Sequence, residues 1–230
     1  MSYKEELIKH YIDQDLQVTV DRDPTRWSTG NGLLHNGVFL CLLYGAEQLE
    51  ESDIARFNAS VALCEDGEGV YDRNRGRNDQ NAHDDATGVA AGSAIGELKY
   101  HKDILNHGLK HFFTYENVDH SFDGLKDLWA FRLRFPFIVL WYFLINKKLR
   151  LLTPIFLLFL LTVIFDSRAD SKIMKYCMLE SLAKTCKCLR MFRNIWLSLV
   201  NLPRAMREYF NKEGQPEHPI VGLSTELKEL

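Results

Sequence analysis

His83-Asp84-Asp85-Ala86-Thr87-Gly88-Val89-Ala90-Ala91-Gly92-Ser93-Ala94-Ile95-Gly96-Glu97-Leu98 is the most informative run in the chain. Gly88, Gly92 and Gly96 recur every four residues, so on a helix they share one face, with Ala90 and Ala94 on a neighbouring line. Each glycine in a helix interior costs about 1 kcal/mol against alanine. Only close approach of a partner can offset that. The run therefore predicts a central helix, from about His83 to Leu98, with neighbours pressed near its backbone. Gly-x-x-x-Gly is also a membrane-dimer pattern, but this segment is too short and too charged at its ends to span a bilayer.

Working outward, the segment from Asn31 to about Glu50 repeats apolar residues at helical spacing: Leu33, Leu34, Val38, Cys41, Leu42 and Ala46. Ser52 reads as the cap of a helix ending near Cys64. Ser2 and Glu5 form a capping-box pattern that opens a helix to about Ile12. A further helix covers about Lys99 to Phe113. Another starts at Leu125 and meets Pro136, which should kink or restart it. Asp170 to Val200 reads as one long helix, and Pro203 to Asn211 as a short one with proline near its start. The chain is thus all-α. Residues 1–212 form a single helical domain, and 213–230 are a loosely held C-terminal tail.

The connections sort unevenly. If successive helices run up and down, residues 13–31, 65–82, 114–124 and 166–170 gather at one pole, while the other pole has tight turns. Long loops without secondary structure are uncommon in compact domains and usually carry function. This pattern predicts an α/α toroid-like arrangement of up-down helical hairpins, or an incomplete ring of that kind, with its site at the long-loop pole.

The formal charge of −3 conceals an asymmetry: residues 1–125 carry 22 acids and 11 bases (−11), residues 126–230 carry 9 acids and 17 bases (+8). The halves can attract each other within one fold, or the basic half can lie on an anionic membrane. No basic stripe interleaved with aromatics is present, so nucleic acid is not the expected partner. The five cysteines, Cys41, Cys64, Cys177, Cys186 and Cys188, are odd in number and lack a Cys-x-x-Cys pair. They read as buried free thiols in a reducing compartment. The N-terminus has no signal-peptide pattern, which favours the cytoplasm. Leu151 to Phe165 is a nearly pure apolar run of fifteen residues. It rises about 22 Å as a helix, short of the roughly 30 Å hydrocarbon layer. The hairpin 135–165 is therefore either buried core or a membrane-associated hairpin, with Lys147, Lys148 and Arg150 inside it.

Three stretches carry a resemblance: Gly30-Asn31-Gly32-Leu33-Leu34-His35-Asn36-Gly37, His83-Asp84-Asp85-Ala86-Thr87-Gly88, and Arg134-Phe135-Pro136-Phe137 following Trp129, with Glu217-His218-Pro219 near the end. Together they resemble helical proteins of tailed bacteriophages that are themselves similar to α/α-toroid glycosidases and polysaccharide lyases. The resemblance implies a polysaccharide-binding or glycan-cleaving protein; if an enzyme, it is a glycoside hydrolase or a lyase, and the alternatives are a membrane-associated non-enzymatic protein anchored by 135–165 or a structural virion or interaction protein.

The candidate chemistry follows. His83, Asp84 and Asp85 open a helix, where acids cap orphan amides. As a functional group, Asp85 pairs with a carboxylate from a neighbouring loop, Asp23 being the choice over Asp21 and Asp72, to act as acid and base on a glycosidic bond. His35 and His83 are candidate proton shuttles, against the alternative of hydrogen-bonded histidines near helix starts. Trp27, Asn31, Tyr71, Arg73, Arg75 and Asp84 are assigned to substrate binding. Trp27 and Tyr71 are sugar platforms or else loop anchors. The arginines bind an acidic sugar or pair with loop acids. His35, His83 and Asp84 have metal-ligand chemistry but no spacing motif, so no metal and no cofactor are expected.

Overall fold

The computed structural model describes residues 2–11, 32–65, 67, 69, 71, 83–110, 138–148, 150–162, 168–212 and 218–227. Among these the protein is helical and contains no strand; Glu65 and Tyr71 form one isolated antiparallel bridge. The helices are α1 (Tyr3–Tyr11), α2 (Gly32–Gly45), α3 (Glu51–Cys64), α4 (His83–Ile95), α5 (Lys99–Lys110), α6 (138–145), α7 (Thr153–Leu161, entered by a 3-10 turn, Arg150–Leu152), α8 (Ala169–Ala183), α9 (Lys187–Leu199), α10 (Leu202–Lys212) and α11 (Pro219–Leu223). The expected start at Leu125 and the break at Pro136 lie outside the described residues; the expected continuation through Trp141 and Tyr142 is α6.

α2 and α4 form the centre. A Cβ added at Gly88 would sit against the Leu34 backbone, and one at Gly37 would sit inside the Gly88 carbonyl. The Cys41 thiol donates to the Ala91 carbonyl at 3.8 Å. The contacts advance in step along both helices, so the two run parallel, with α3 as the return. Gly92 faces the Phe57 ring of α3, while Gly96 meets only the tip of Ile54. The glycine face thus does bring partners onto the α4 backbone, and Gly37 is its counterpart on α2. The single stripe expected on α2 is not what is observed. Every residue of α2 except Tyr44 is buried, because α2 is enclosed on all sides.

Local signals explain several boundaries. Ser2 Oγ accepts the Glu5 amide at 3.2 Å and Glu5 Oε2 accepts the Ser2 amide at 2.8 Å, the expected capping box. That bond to the Ser2 backbone holds the Glu5 carboxyl below its ordinary value. α3 is opened by Glu50 rather than Ser52: Asp53 Oδ2 accepts the Glu50 amide at 3.0 Å. Asp53 is buried and also takes Lys4 Nζ at 2.7 Å and Arg56 Nη1 at 3.2 Å, tying α1 to the start of α3. α2 and α6 both end in a Schellman pattern, with Gln48 and Lys148 amides reaching back to Leu43 and Phe143. The left-handed position in each is held by a charged residue, Glu47 and Lys147, both at φ 58°.

Two expectations are corrected. The long helix 170–200 is broken: a turn at Lys184 and Thr185 and an extended Cys186 separate α8 from α9. The break re-aims α9 so that Arg193 reaches back to Glu180 at 2.8 Å and to the Gly45 carbonyl at 3.2 Å. Beyond the expected end of the domain, His218 to Ser224 is not loosely held. Ile220 and Leu223 are buried, Gly222 lies under the Tyr3 ring, and the His218 ring stacks on Phe210 at 4.2 Å. His218 Nδ1 accepts the Ile220 amide at 3.2 Å and so caps α11.

Candidate functional site

The starts of α2, α4 and α8 and the end of α10 meet at one pole. Asp85, the third residue of α4, is fully buried, and its Oδ1 accepts the Leu34 amide in the first turn of α2 at 3.3 Å. One carboxylate thus faces the positive ends of two parallel helices. That is the capping alternative, realised here between two helices. His35 is buried among Tyr209, Phe210 and His218, with ring centroids 6.0, 5.0 and 5.8 Å away. The cavity beside His35, lined also by Val38, Asp170 and Met206, measures about 20 Å³. A space of that size takes roughly one water molecule.

The structure therefore brings His35 and Asp85 to the same end of the molecule. His83 and Asp84 are the first two residues of α4. Their side chains, with Asp23, Trp27, Asn31, Arg73 and Arg75, lie outside the described residues. Tyr71 is corrected: its ring is fully buried rather than offered to a ligand, and burial pushes its phenol well above the ordinary range. It anchors the turn that follows α3 against α5, where a Cβ at Gly69 would strike the Asp103 carbonyl. Among the described residues no group of three or more His, Cys, Asp or Glu side chains is placed to hold a metal ion.

His101 gave no signal in the sequence. It lies edge-on to Trp141 at 4.5 Å and to Tyr142 at 5.4 Å, fully buried. Burial pushes its imidazole down to about 3, so it is a neutral core group. The cysteines divide: Cys41, Cys64 and Cys177 are buried as expected, but Cys186 and Cys188 are exposed at the start of α9. The amides of Cys188 and Leu189 lower the Cys186 thiol.

The most conspicuous surface lies elsewhere. α7 buries Phe156 and Leu160 but leaves Leu151, Ile155 and Leu158 exposed by 94%, 56% and 65%. α9 sits beside it, its Trp196 Nε1 donating to the Leu160 carbonyl at 3.2 Å. α9 exposes Met191, Ile195 and Leu199 by 66%, 51% and 57%, a stripe spaced by four residues. Segments 138–162 and 184–207 hold three and six Lys/Arg, nine in all, and no Asp or Glu; among those with described side chains only Arg193 is buried. No helix among the described residues is long and apolar enough to cross a membrane. The fold is a helical domain that leaves large apolar side chains of α7 and α9 exposed, in segments that carry bases and no acids. Comparison with protein-family models, with curated proteins and with solved structures gives no match to this chain.

Proposed function

We propose that the protein is a peripheral membrane-associated helical domain that lies on an anionic lipid surface through α7 and α9. The observation that carries this reading is the set of six exposed large apolar side chains on α7, its entering turn and α9, helices joined by the Trp196–Leu160 hydrogen bond, inside segments that hold bases and no acids. Monomeric proteins rarely leave a contiguous apolar face of that kind. Each such side chain gains roughly 1–2 kcal/mol when moved from water to the acyl boundary. Each Lys or Arg near an anionic leaflet adds about 1 kcal/mol. A protein partner would gain from the apolar stripe, but the absence of acids from both segments fits a uniformly negative surface. Only the rim of the hairpin expected at 135–165 takes part, and α9 supplies the other half of the face.

As to architecture, we read the helix alternation as an incomplete α/α ring; the shared pole of the α2 and α4 starts, with α3 returning between them, supports it. Polysaccharide binding at that pole is the weaker reading, because the described space beside His35 is water-sized.

Vesicle flotation tests the proposal. Wild type should float with phosphatidylcholine vesicles containing a third phosphatidylglycerol, float less with pure phosphatidylcholine, and lose binding in 0.5 M salt to an extent set by the screened charge. Ile155→Glu with Ile195→Glu should abolish flotation while the circular dichroism spectrum is unchanged. Wild type remaining at the bottom of the gradient with anionic vesicles would remove the reading.

A further inference from the structure

At the opposite end of α2 from Asp85, a cavity of about 340 Å³ lies between the end of α2, the end of α8 and the first half of α9. That is within the size range of small-molecule sites. Its floor is the buried pair of Arg193 and Glu180, 2.8 Å apart. Arg193 is held further by Asn194 Oδ1 at 2.9 Å and the Gly45 carbonyl at 3.2 Å. Burial pushes the Glu180 carboxyl up and Arg193 pulls it back, so the pair sits as a fixed dipole in the wall. Burying such a pair is expensive, and an apolar pair of similar volume fills a core at least as well. The two side chains line the cavity while only 1% and 3% exposed, so the pair forms a polar wall and the charged groups within a ligand's reach are those of the rim.

The rim adds two opposite charges, Arg190 and Glu47, and the half-buried ring of Tyr44. Arg190 is positioned by its Nε, which donates to the Ala183 carbonyl at 3.4 Å. Glu47 occupies the left-handed position that ends α2, at φ 58°, where glycine is unstrained and glutamate is not. That position places Glu47 among the residues lining the cavity. The lining acids, Glu47 and Glu180, balance the lining bases, Arg190 and Arg193, so a ligand with net charge of either sign gains nothing from the site as a whole.

We infer that this cavity binds a small zwitterion, with an anionic oxygen group against Arg190 and an ammonium against Glu47. A free α-amino acid and the head group of an ethanolamine phospholipid share that chemistry. The inference does not depend on the membrane reading.

Titration calorimetry and thermal-shift measurements on the full chain test it, with L-serine, glycine and glycerophosphoethanolamine as zwitterionic probes and acetate and ethylamine as single-charge controls. At least one zwitterion should bind saturably and at least tenfold more tightly than either control. Arg190→Gln and Glu47→Gln should each weaken that binding tenfold or more. Glu47→Gly should weaken it equally while raising the Tm by a few degrees, because the strain is relieved as the ligand contact is lost; this variant has no reason to misfold. Amino acids binding without glycerophosphoethanolamine would mark a soluble ligand, and the reverse a lipid head group. No saturable binding of any zwitterion by wild type, or binding unchanged in both Arg190→Gln and Glu47→Gly, would overturn the inference.

Discussion

α2 and α7 are both apolar helices, yet thirteen of the fourteen residues of α2 are buried and only two of the nine residues of α7. The α7 sequence, TPIFLLFLL, is if anything the more apolar of the two. The difference lies in what their neighbours permit. α2 carries Gly37 where α4 carries Gly88, so the two backbones touch and bring the flanking helices in around them. α7 has no glycine or alanine in its helix, and it is held on one side by Phe156 and Leu160, by the half-buried Leu157, Phe159 and Leu161, and by Trp196 and Lys175. Apolar composition says that a helix wants cover; small residues say whether the rest of the fold can supply it on every side.

That comparison can be broken most severely at Gly88. Gly88→Ala should cost about 3 kcal/mol or more in urea denaturation, because the group it meets is backbone and cannot yield. Gly96→Ala, with only Ile54 Cγ2 at 3.2 Å from the added carbon, should stay within about 0.5 kcal/mol. Equal losses at both positions would mean that α4 is not packed backbone to backbone at one end only. Asp85→Asn comes next. It keeps the shape but removes the charge facing two helix starts, and should lower stability by roughly 1–3 kcal/mol. A stable variant that lost polysaccharide binding would instead revive the acid-base role for Asp85.

The pH dependence sharpens the same contrast from the core side. His101 is held neutral in the fold and its imidazole sits near 3, against 6.5 when exposed. Below pH 6.5 the unfolded chain takes up a proton that the folded chain refuses, so stability falls as pH is lowered through that window. At pH 5 the loss from this group should reach about 2 kcal/mol. Denaturation of wild type and His101→Phe at pH 7 and pH 5 isolates it: the difference between the two proteins should change by that amount. The smallest effect belongs to the exposed face. Ile155→Glu and Ile195→Glu should each shift folding stability by less than about 1 kcal/mol while removing vesicle binding, since more than half of each residue is already in water. A large loss of stability in either would show that the α7–α9 face is covered within the fold.

Some elements were legible because their causes are local. Ser2 with Glu5, and Gly88 with Gly92 in α4, act through residues three or four apart, and each pair lies where it was read. The end of α8 was not legible, since Lys184, Thr185 and Cys186 include no helix breaker and the turn is stabilised by contacts of Lys184 with the Ile95 carbonyl and of Arg193 with Glu180. Nor was the role of Asp85: the acid at a helix start was evident, but the helix it serves is α2, fifty-one residues away. Of the candidate site, only His35, Asp85 and Tyr71 can be followed into the structure as side chains. Tyr71 turned inward because its turn docks on α5.

By itself, then, the sequence determined that the protein is helical, that the segment from His83 is packed tightly, and that the second half is basic and strongly apolar. These follow from periodicity, propensity and charge, which act within a few residues along the chain. The tertiary structure alone decided which apolar faces are covered, which buried charges meet, and that His218 to Ser224 belongs to the core. Those outcomes depend on partners from 13 residues apart, as Glu180 and Arg193 are, to more than two hundred, as Tyr3 and Gly222 are, and no local pattern specifies which of them will arrive.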